Sequence, residues 1–397
     1  MQFLVSAGEA SGDLYASGVV SYLAQAYPGA NFYGCAGPKL RAAGVQPVID
    51  AADLSVVGLA EVVTHLPRIY REFRKLAAFA GQHRPDAALL TDSPDFHLRL
   101  ARHLKRLQVP VFYLVAPQVW AWRQGRVRII RELVDKLFCL FPFEERWFRE
   151  RGVDATYIGH PLATLARVSQ SRAEFFERHR LPKNSRLIVL LPGSRAGEAR
   201  RHIPTLLDAV AILRQRFALS AILATPKGFR TAAAFSTFRE RIEALSIQVI
   251  ENETWDYIGH ADVALAASGT VTVEAAVLGT PMVTFYKVNP LSWYGGRHLV
   301  KVPFLSMVNL IADRQIVPEL MQRDMTASGI AQEAGELLAN DERADRMRAD
   351  LAAVRKLLTL EGDPLARAAE TIVETCRERC DLSMVPEAPL PLPTDVF

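Results

Sequence analysis

Short apolar and β-branched runs alternate along this chain with stretches of helical period. Phe3 to Ser6, Asn31 to Gly34, Ala87 to Thr91, Val111 to Val115, Lys136 to Leu140 and Thr156 to Ile158 read as strands, each leading into a polar or glycine-rich turn. Such alternation predicts a parallel sheet covered by helices. After Pro161-Leu162 and a polar stretch, Arg167 to Asn184, the same grammar restarts at Leu187 to Leu191. It continues through Ala221 to Ala224, Gln248 to Ile250, Val263 to Ala266 and Met282 to Phe285.

A second α/β unit is therefore expected to begin near residue 185. From Ala327 to Arg379 the pattern is helical, because Leu337, Leu338, Met347, Leu351, Val354, Leu357 and Leu358 recur three or four apart. Pro386, Pro389, Pro391 and Pro393 exclude helix and central strand, leaving an extended tail or a polyproline docking peptide. The expected architecture is α/β, with two facing Rossmann-like domains. Residues 1–166 form the first, 185–360 the second, and 361–397 a closing helix with the proline-rich tail.

Bulk composition narrows the function. A chain of 397 residues that is 50% hydrophobic can build two cores. Its net charge of +4, from 47 basic and 43 acidic residues, is too balanced to predict a nucleic-acid partner. Cys35, Cys139, Cys376 and Cys380 form no CxxC pair, and Met1 runs directly into a strand rather than a signal peptide, so a cytoplasmic chain with free thiols is expected. No uncharged apolar run reaches the roughly 20 residues that cross a bilayer. The longest, Val263 to Tyr286, is interrupted by Glu274, Gly279 and Pro281, so any membrane contact should be peripheral.

Without a GxGxxG fingerprint or a Walker A sequence, dinucleotide oxidoreduction and P-loop hydrolysis lose their usual support. Without HExxH, clustered Cys and His, or a DxD pair, no metal and no cofactor are expected; His97 and His160 read as structural.

Candidate chemistry lies where strands end. Gly8-Glu9-Ala10-Ser11-Gly12-Asp13 follows the first strand and opens a helix whose amides point to the rim where ligands bind open α/β sheets. Gly8 and Gly12 serve equally as a tight turn, whereas Glu9 is harder to explain as turn chemistry. Asp92 follows Ala87 to Thr91 directly, as a general base would, with Asp95 the better N-cap of the next helix. Trp120 and Trp122, beside Arg123, suit sugar or acyl contact or simply core filling.

In the second half, Pro192-Gly193-Ser194-Arg195 offers a glycine turn and a guanidinium fork for phosphate. Ser268-Gly269-Thr270 opens another helix with Glu274 one turn onward, an arrangement that suits a diphosphate and ribose hydroxyls or serves as an ordinary cap. Leu54 to Val63 is nearly all apolar. Pro67 then opens a helix with Ile69, Phe73, Leu76 and Ala80 on one face and Arg68, Arg71, Arg74 and Lys75 elsewhere, which fits a lipid surface or an ordinary packed helix.

Taken in order, Gly8 to Asp13, Asp92-Ser93-Pro94-Asp95-Phe96, Val119 to Arg123, Gly159-His160-Pro161-Leu162 and Leu191 to Arg195 resemble the lipid A disaccharide synthase family. Ser268 to Thr270 with Glu274, Pro281 to Val283, Tyr286 with Pro290-Leu291, and Asn309 followed by Val317 to Glu319 extend the resemblance over residues 3 to 320.

The resemblance implies a GT-B fold and an inverting transfer of 2,3-diacylglucosamine from UDP to 2,3-diacylglucosamine 1-phosphate, giving a β-1,6 disaccharide. It implies Asp92 as base, supported by Glu9, and UDP bound by Arg195, Ser194, Ser268, Gly269, Thr270, Glu274 and Asn309. Ser11, Val56, Val57, Val62, Trp120 and Trp122 are then expected to contact acceptor or lipid. The enzyme would sit peripherally on the cytoplasmic face of the inner membrane, with a homo-oligomer left open. His97 after Phe96, Ala116 to Gln118 before Val119, and Val308 before Asn309 depart from the family pattern, which bears on acyl preference and acceptor.

Two other readings stay open at this point. One is another UDP-sugar enzyme of the same fold, such as a 2-epimerase or a transferase with a soluble acceptor, for which an apolar patch has no use. The other is a non-catalytic UDP-sugar sensor, in which Asp92 would be dispensable.

Overall fold

The fold was obtained as a computed structural model, which describes residues 1–54, 59–225, 228, 233–251, 254–288 and 302–380, excepting the side chains of 59–65, 233–234 and 379–380. The chain divides into two compact units. Met1–Pro161 and the chain from Leu358 onward form one, and Leu162–Leu357 form the other.

The first unit holds a seven-stranded parallel sheet. Its strands are β1 (Gln2–Ala7), β2 (Asn31–Ala36), β3 (Gln46–Asp50), β4 (Ala87–Thr91), β5 (Val111–Leu114), β6 (Lys136–Cys139) and β7 (Ala155–Tyr157), ordered β3-β2-β1-β4-β5-β6-β7. The central strands β4 and β5 are buried along their whole length and mainly apolar because both of their faces are covered, with Thr91 and, in β1, Ser6 as buried polar exceptions. Phe3 of β1, paired with Phe32 of β2 and Ala87 of β4, stacks on the Phe32 ring at 5.2 Å.

The second unit repeats the plan with six strands. They are β8 (Arg186–Leu191), β9 (Leu219–Thr225), β10 (Gln248–Glu251), β11 (Val263–Ala267), β12 (Met282–Tyr286) and β13 (Glu319–Met321), ordered β10-β9-β8-β11-β12-β13. In both sheets the order reverses beside the first strand, between β1 and β4 and between β8 and β11. Loops leaving such a switch point leave an opening at the strands' carboxyl ends where ligands bind.

Four expectations change. Strands β3 and β13 escape the apolar pattern because they lie at sheet edges, β3 carries Pro47, and β13 has only three half-buried residues. Pro67 does not open a helix but lies inside Leu59–His83. The second unit begins at Leu162, ahead of residue 185, and takes in the helices Leu162–Leu165 and Arg172–Arg178. The closing helix Pro364–Cys380 belongs to the first unit, where it packs against Ala10–Ala26 through buried Leu365, Ala368, Ala369 and Ile372. The proline-rich tail lies outside the described residues. Cys35, Cys139 and Cys376 are buried and unbridged.

Candidate active site

In the first unit, β1 and β4 end side by side, Ala7 opposite Thr91. The chain leaving β4 turns through two consecutive left-handed residues, Asp92 at φ +51° and Ser93 at φ +37°. For non-glycine residues each such conformation costs roughly 1–2 kcal/mol, so neighbours must hold the turn. The Asp92 carbonyl oxygen accepts from the Tyr113 hydroxyl and from His97 Nδ1 at 2.9 Å, while His97 Nε2 accepts from Ser6 Oγ at 2.7 Å.

This turn aims the Asp92 carboxylate at the loop after β1. Oδ1 accepts from the Gly8 amide at 2.9 Å and Oδ2 from the Glu9 amide at 3.1 Å. Gly8 in that loop and Gly12 in the first turn of Ala10–Ala26 are both there for proximity. A Cβ at Gly8 would overlap Ser93 Oγ and lie 3.0 Å from Asp92 Oδ1; one at Gly12 would overlap Oδ2 and lie 3.0 Å from Cγ. The tight-turn explanation is thereby replaced, since neither glycine takes a positive φ.

Burial raises the Asp92 pKa to about 7; a hydrogen bond from Ser93 opposes the shift, the nearby Glu9 carboxylate adds to it, and the two amides oppose it. A carboxylate tuned to that range can accept a proton at neutral pH.

The neighbouring motif residues divide by role. Asp13 is buried and caps the helix Pro38–Ala42 by accepting from the amides of Gly37, Lys39 and Leu40. Glu9 is exposed at the N-cap of Ala10–Ala26, and Ser11 is half-buried in that helix's first turn. Asp95 is not the N-cap of Pro94–Arg106, which is Ser93; its carboxylate pairs with Arg126 and Arg123.

The two tryptophans part company. Trp120 is buried, donates Nε1–H to Glu144 at 3.0 Å and meets the Phe143 ring edge-on, so it fills the core instead of reaching acceptor or lipid. Burial raises the Glu144 pKa to about 7, against hydrogen bonds from Trp120, Phe141 and Leu140. Trp122 is 43% exposed, with the Arg123 guanidinium 4.4 Å above its ring. His160 is buried among Tyr15 and Phe141, and burial lowers its pKa to about 3, in keeping with a structural role. Val56 and Val57 lie outside the described residues, as does the Val62 side chain.

The second unit presents its own cluster at the β8 and β11 ends. Gly193, at φ +118°, turns the chain where a Cβ would press on Glu198 Oε2 at 2.7 Å. Arg195 then caps Ala196–Arg214, half-exposed and 3.5 Å from Glu198, whose carboxylate also accepts from the Tyr286 hydroxyl at 2.9 Å. Beneath them His202 is fully buried. Its Nδ1 donates to the Pro192 carbonyl at 2.7 Å and its Nε2 accepts from the Lys287 amide at 3.1 Å, tying the loops after β8 and β12 together.

Ser194, Gly269 and Thr270 are exposed, the latter two where Thr270–Leu278 begins with no side-chain cap. Ser268 Oγ donates to the Leu305 carbonyl at 2.9 Å. Glu274, one turn on, is half-buried, and burial raises its pKa to about 7 against hydrogen bonds from Trp255 and Thr254.

Asn309 departs most from expectation. It is wholly buried. Its Oδ1 accepts from Ile316 and Val317 amides at 2.8 and 3.0 Å, and its Nδ2 donates to the Val317 carbonyl at 3.0 Å and to Glu319 Oε1 at 2.7 Å. Every hydrogen-bonding position of the amide is thus occupied within the protein, so it cannot contact a nucleotide directly. Glu319 completes the brace by accepting from the Leu305 and Ser306 amides, both at 3.0 Å.

In the sequence His97 reads only as structural, and Tyr113, Glu198 and His202 pass unremarked; the structure places all four behind the two clusters. One signal existed: His97 lies on the apolar face of its helix with Phe96, Leu100 and Leu104, and a polar side chain there must find buried partners.

Two parallel sheets, each with a ligand-suited loop cluster at its switch point, define an α/β protein of the GT-B class. Solved structures agree. UDP-GlcNAc 2-epimerase from Neisseria meningitidis superposes with a TM-score of 0.63 over 95% of this chain and 100% of its own, at 13% identity. A ugt transferase from Siraitia grosvenorii reaches 0.58 over 94% and 99%, at 11% identity. These likenesses carry the fold alone.

Residues 3–373 match the family described as lipid-A-disaccharide synthetase, and the chain belongs to that family. Lipid-A-disaccharide synthase from Solibacter usitatus is 58% identical over 373 residues, covering 94% of this chain and 97% of the relative. The Myxococcus xanthus synthase is 39% identical over 374 residues, with the same coverage. The protein is therefore a glycosyltransferase of lipid A biosynthesis, and the epimerase and sensor readings fall away.

Proposed function

We infer that this enzyme transfers 2,3-diacylglucosamine from UDP to 2,3-diacylglucosamine 1-phosphate with inversion. Asp92 removes the proton from the acceptor's 6-hydroxyl as that oxygen bonds to the donor's anomeric carbon. The bond from that carbon to the diphosphate oxygen breaks, and its electron pair leaves with UDP. The observation that carries the assignment is the Asp92 carboxylate, held by the Gly8 and Glu9 amides at a sheet switch point, with burial placing its pKa near neutrality. Glu9 supports it by raising the base's proton affinity.

UDP falls to Ser194, Arg195, Ser268, Gly269, Thr270 and Glu274. The uncapped N-terminus of Thr270–Leu278 and the Arg195 fork suit the negative charge that grows on the departing diphosphate. Glu274 suits ribose hydroxyls, and Asn309 contributes from within by holding Glu319 and the backbone around it. Ser11 and Trp122 remain on the acceptor side.

Among the described residues no helix is long and apolar enough to cross a membrane. For diacylated substrates we place the helix Leu59–His83 on the cytoplasmic face of the inner membrane; Val56, Val57 and Val62 are assigned to lipid contact on their apolar character alone. Exposed Leu66 and Tyr70 beside Arg68, Arg71, Arg74 and Lys75 support that reading.

Incubating the enzyme with UDP-2,3-diacylglucosamine and 2,3-diacylglucosamine 1-phosphate should yield the disaccharide phosphate and UDP by mass spectrometry. An Asp92→Asn enzyme that is folded and still fully active would sink the assignment of the base.

A further inference from the structure

We propose that His97 is a positioning residue for the transfer, holding Asp92 in its left-handed turn through a hydrogen bond to the Asp92 carbonyl while anchored to Ser6. The inference rests on Asp92 acting as the base. His97 is fully buried on the inner face of Pro94–Arg106, and its two nitrogens reach the ends of two adjacent strands. Nδ1 meets the Asp92 carbonyl at 2.9 Å, just beyond β4, and Nε2 meets Ser6 Oγ at 2.7 Å, near the end of β1.

Asp92 is thus gripped from opposite ends. Its carboxylate takes the amides that follow β1, and its carbonyl takes His97 and the Tyr113 hydroxyl. Since the carbonyl oxygen can only accept, Nδ1 must carry the proton, and Nε2 is left to accept from Ser6. Burial lowers the His97 pKa to about 4, so the ring keeps this neutral form at neutral pH. Phe96 and Tyr113 set edge-on against the ring at 5.3 and 6.4 Å fix its plane. With Asp92 and Ser93 both at positive φ, loss of this hold would let the turn relax and draw the carboxylate off the Gly8 and Glu9 amides.

The test compares wild type, His97→Phe, His97→Asn and Asp92→Asn with the two diacylated substrates, with folding followed by circular dichroism and UDP affinity by calorimetry. His97→Phe keeps the ring but loses both hydrogen bonds; kcat should fall about 30-fold to 100-fold, the range expected from a misplaced reacting group. UDP affinity should stay within about twofold, because the nucleotide residues lie on the other sheet. His97→Asn, whose Nδ2 can donate to the same carbonyl, should recover most of the rate, and His97→Phe added to Asp92→Asn should cost nothing further.

A folded His97→Phe enzyme with wild-type kcat would overturn the proposal, as would a His97→Asn enzyme no better than His97→Phe. If His97→Phe does not fold, Ser6→Ala decides: a fall in kcat of about fivefold with unchanged UDP affinity supports the role, and no change overturns it. Full activity in Asp92→Asn would instead remove the base assignment itself.

Discussion

The Gly12 α-carbon lies so close to the Asp92 carboxylate that a Cβ there would overlap Oδ2 and stand 3.0 Å from Cγ. A helical residue on one strand's loop therefore sets where the acidic side chain of the neighbouring strand can rest. Gly12→Ala should leave the helix intact, because alanine favours it, yet push the carboxylate from its two amides. The expected result is a kcat about 100-fold lower with UDP affinity retained; steady-state kinetics that match wild type would contradict this geometry.

The rate should fall on the acid side of about pH 7, tenfold per unit, as Asp92 takes up its proton. The carboxylate that faces Asp92 is Glu9; replacing it with Gln should move this limb to lower pH, since its charge raises the Asp92 pKa. A pH profile flat from about 5 to 8 would be incompatible with Asp92 as base.

Stability has its own pH dependence. Burial raises Asp92, Glu144 and Glu274 to about 7, so each folds more readily when protonated; that contribution is complete below the unfolded carboxylate range and is lost as pH rises through about 7. The buried histidines His97, His160 and His202 act oppositely, their lowered values favouring the fold above the unfolded value of 6.5. Between about pH 6.5 and 8 the carboxylates dominate, and Tm should decline as pH rises. Melting curves that rise across that interval would be the contrary result.

Asn309→Ala should act at a distance. Removing an amide that satisfies four buried groups should destabilise the second unit by about 2–4 kcal/mol and weaken UDP binding about tenfold by freeing Glu319. Thermal unfolding and calorimetry separate the two effects. An unchanged Tm would show that the brace is not stabilising.

Replacing Val56, Val57 and Val62 with Ser should weaken binding to anionic liposomes by at least about tenfold, given roughly 0.8 kcal/mol per buried methylene. Leu66→Ser with Tyr70→Ser should act in the same direction. Unaltered cosedimentation of the folded variants would exclude this helix as the docking face.

The buried strands of both sheets, the presence of two α/β units and the placement of the Gly8–Asp13, Asp92 and Ser268–Thr270 motifs at strand carboxyl ends were legible in the chain, because parallel strands covered on both faces demand apolar runs. The boundary at Leu162 was not, since short helices ahead of β8 carry no strand signal. Edge strands β3 and β13 were not, since an edge relaxes that demand. Nor was the return of Pro364–Cys380 to the first unit: an apolar helical stripe states that it will be buried, not against which sheet.

Periodicity and motif order by themselves determined the architecture, the family resemblance and the set of candidate residues. Tertiary packing alone decided which of those residues meet solvent and which bind their own protein. Trp120 and Trp122 stand two apart, yet one is locked to Glu144 and the other is exposed. Asn309 is saturated by the Ile316 and Val317 backbone and by Glu319, whereas Asp92 is held with its pKa near neutrality. The reason is physical: residue type fixes what a side chain can donate or accept, but burial and the partners brought from distant strands fix which of those capacities is left for a substrate.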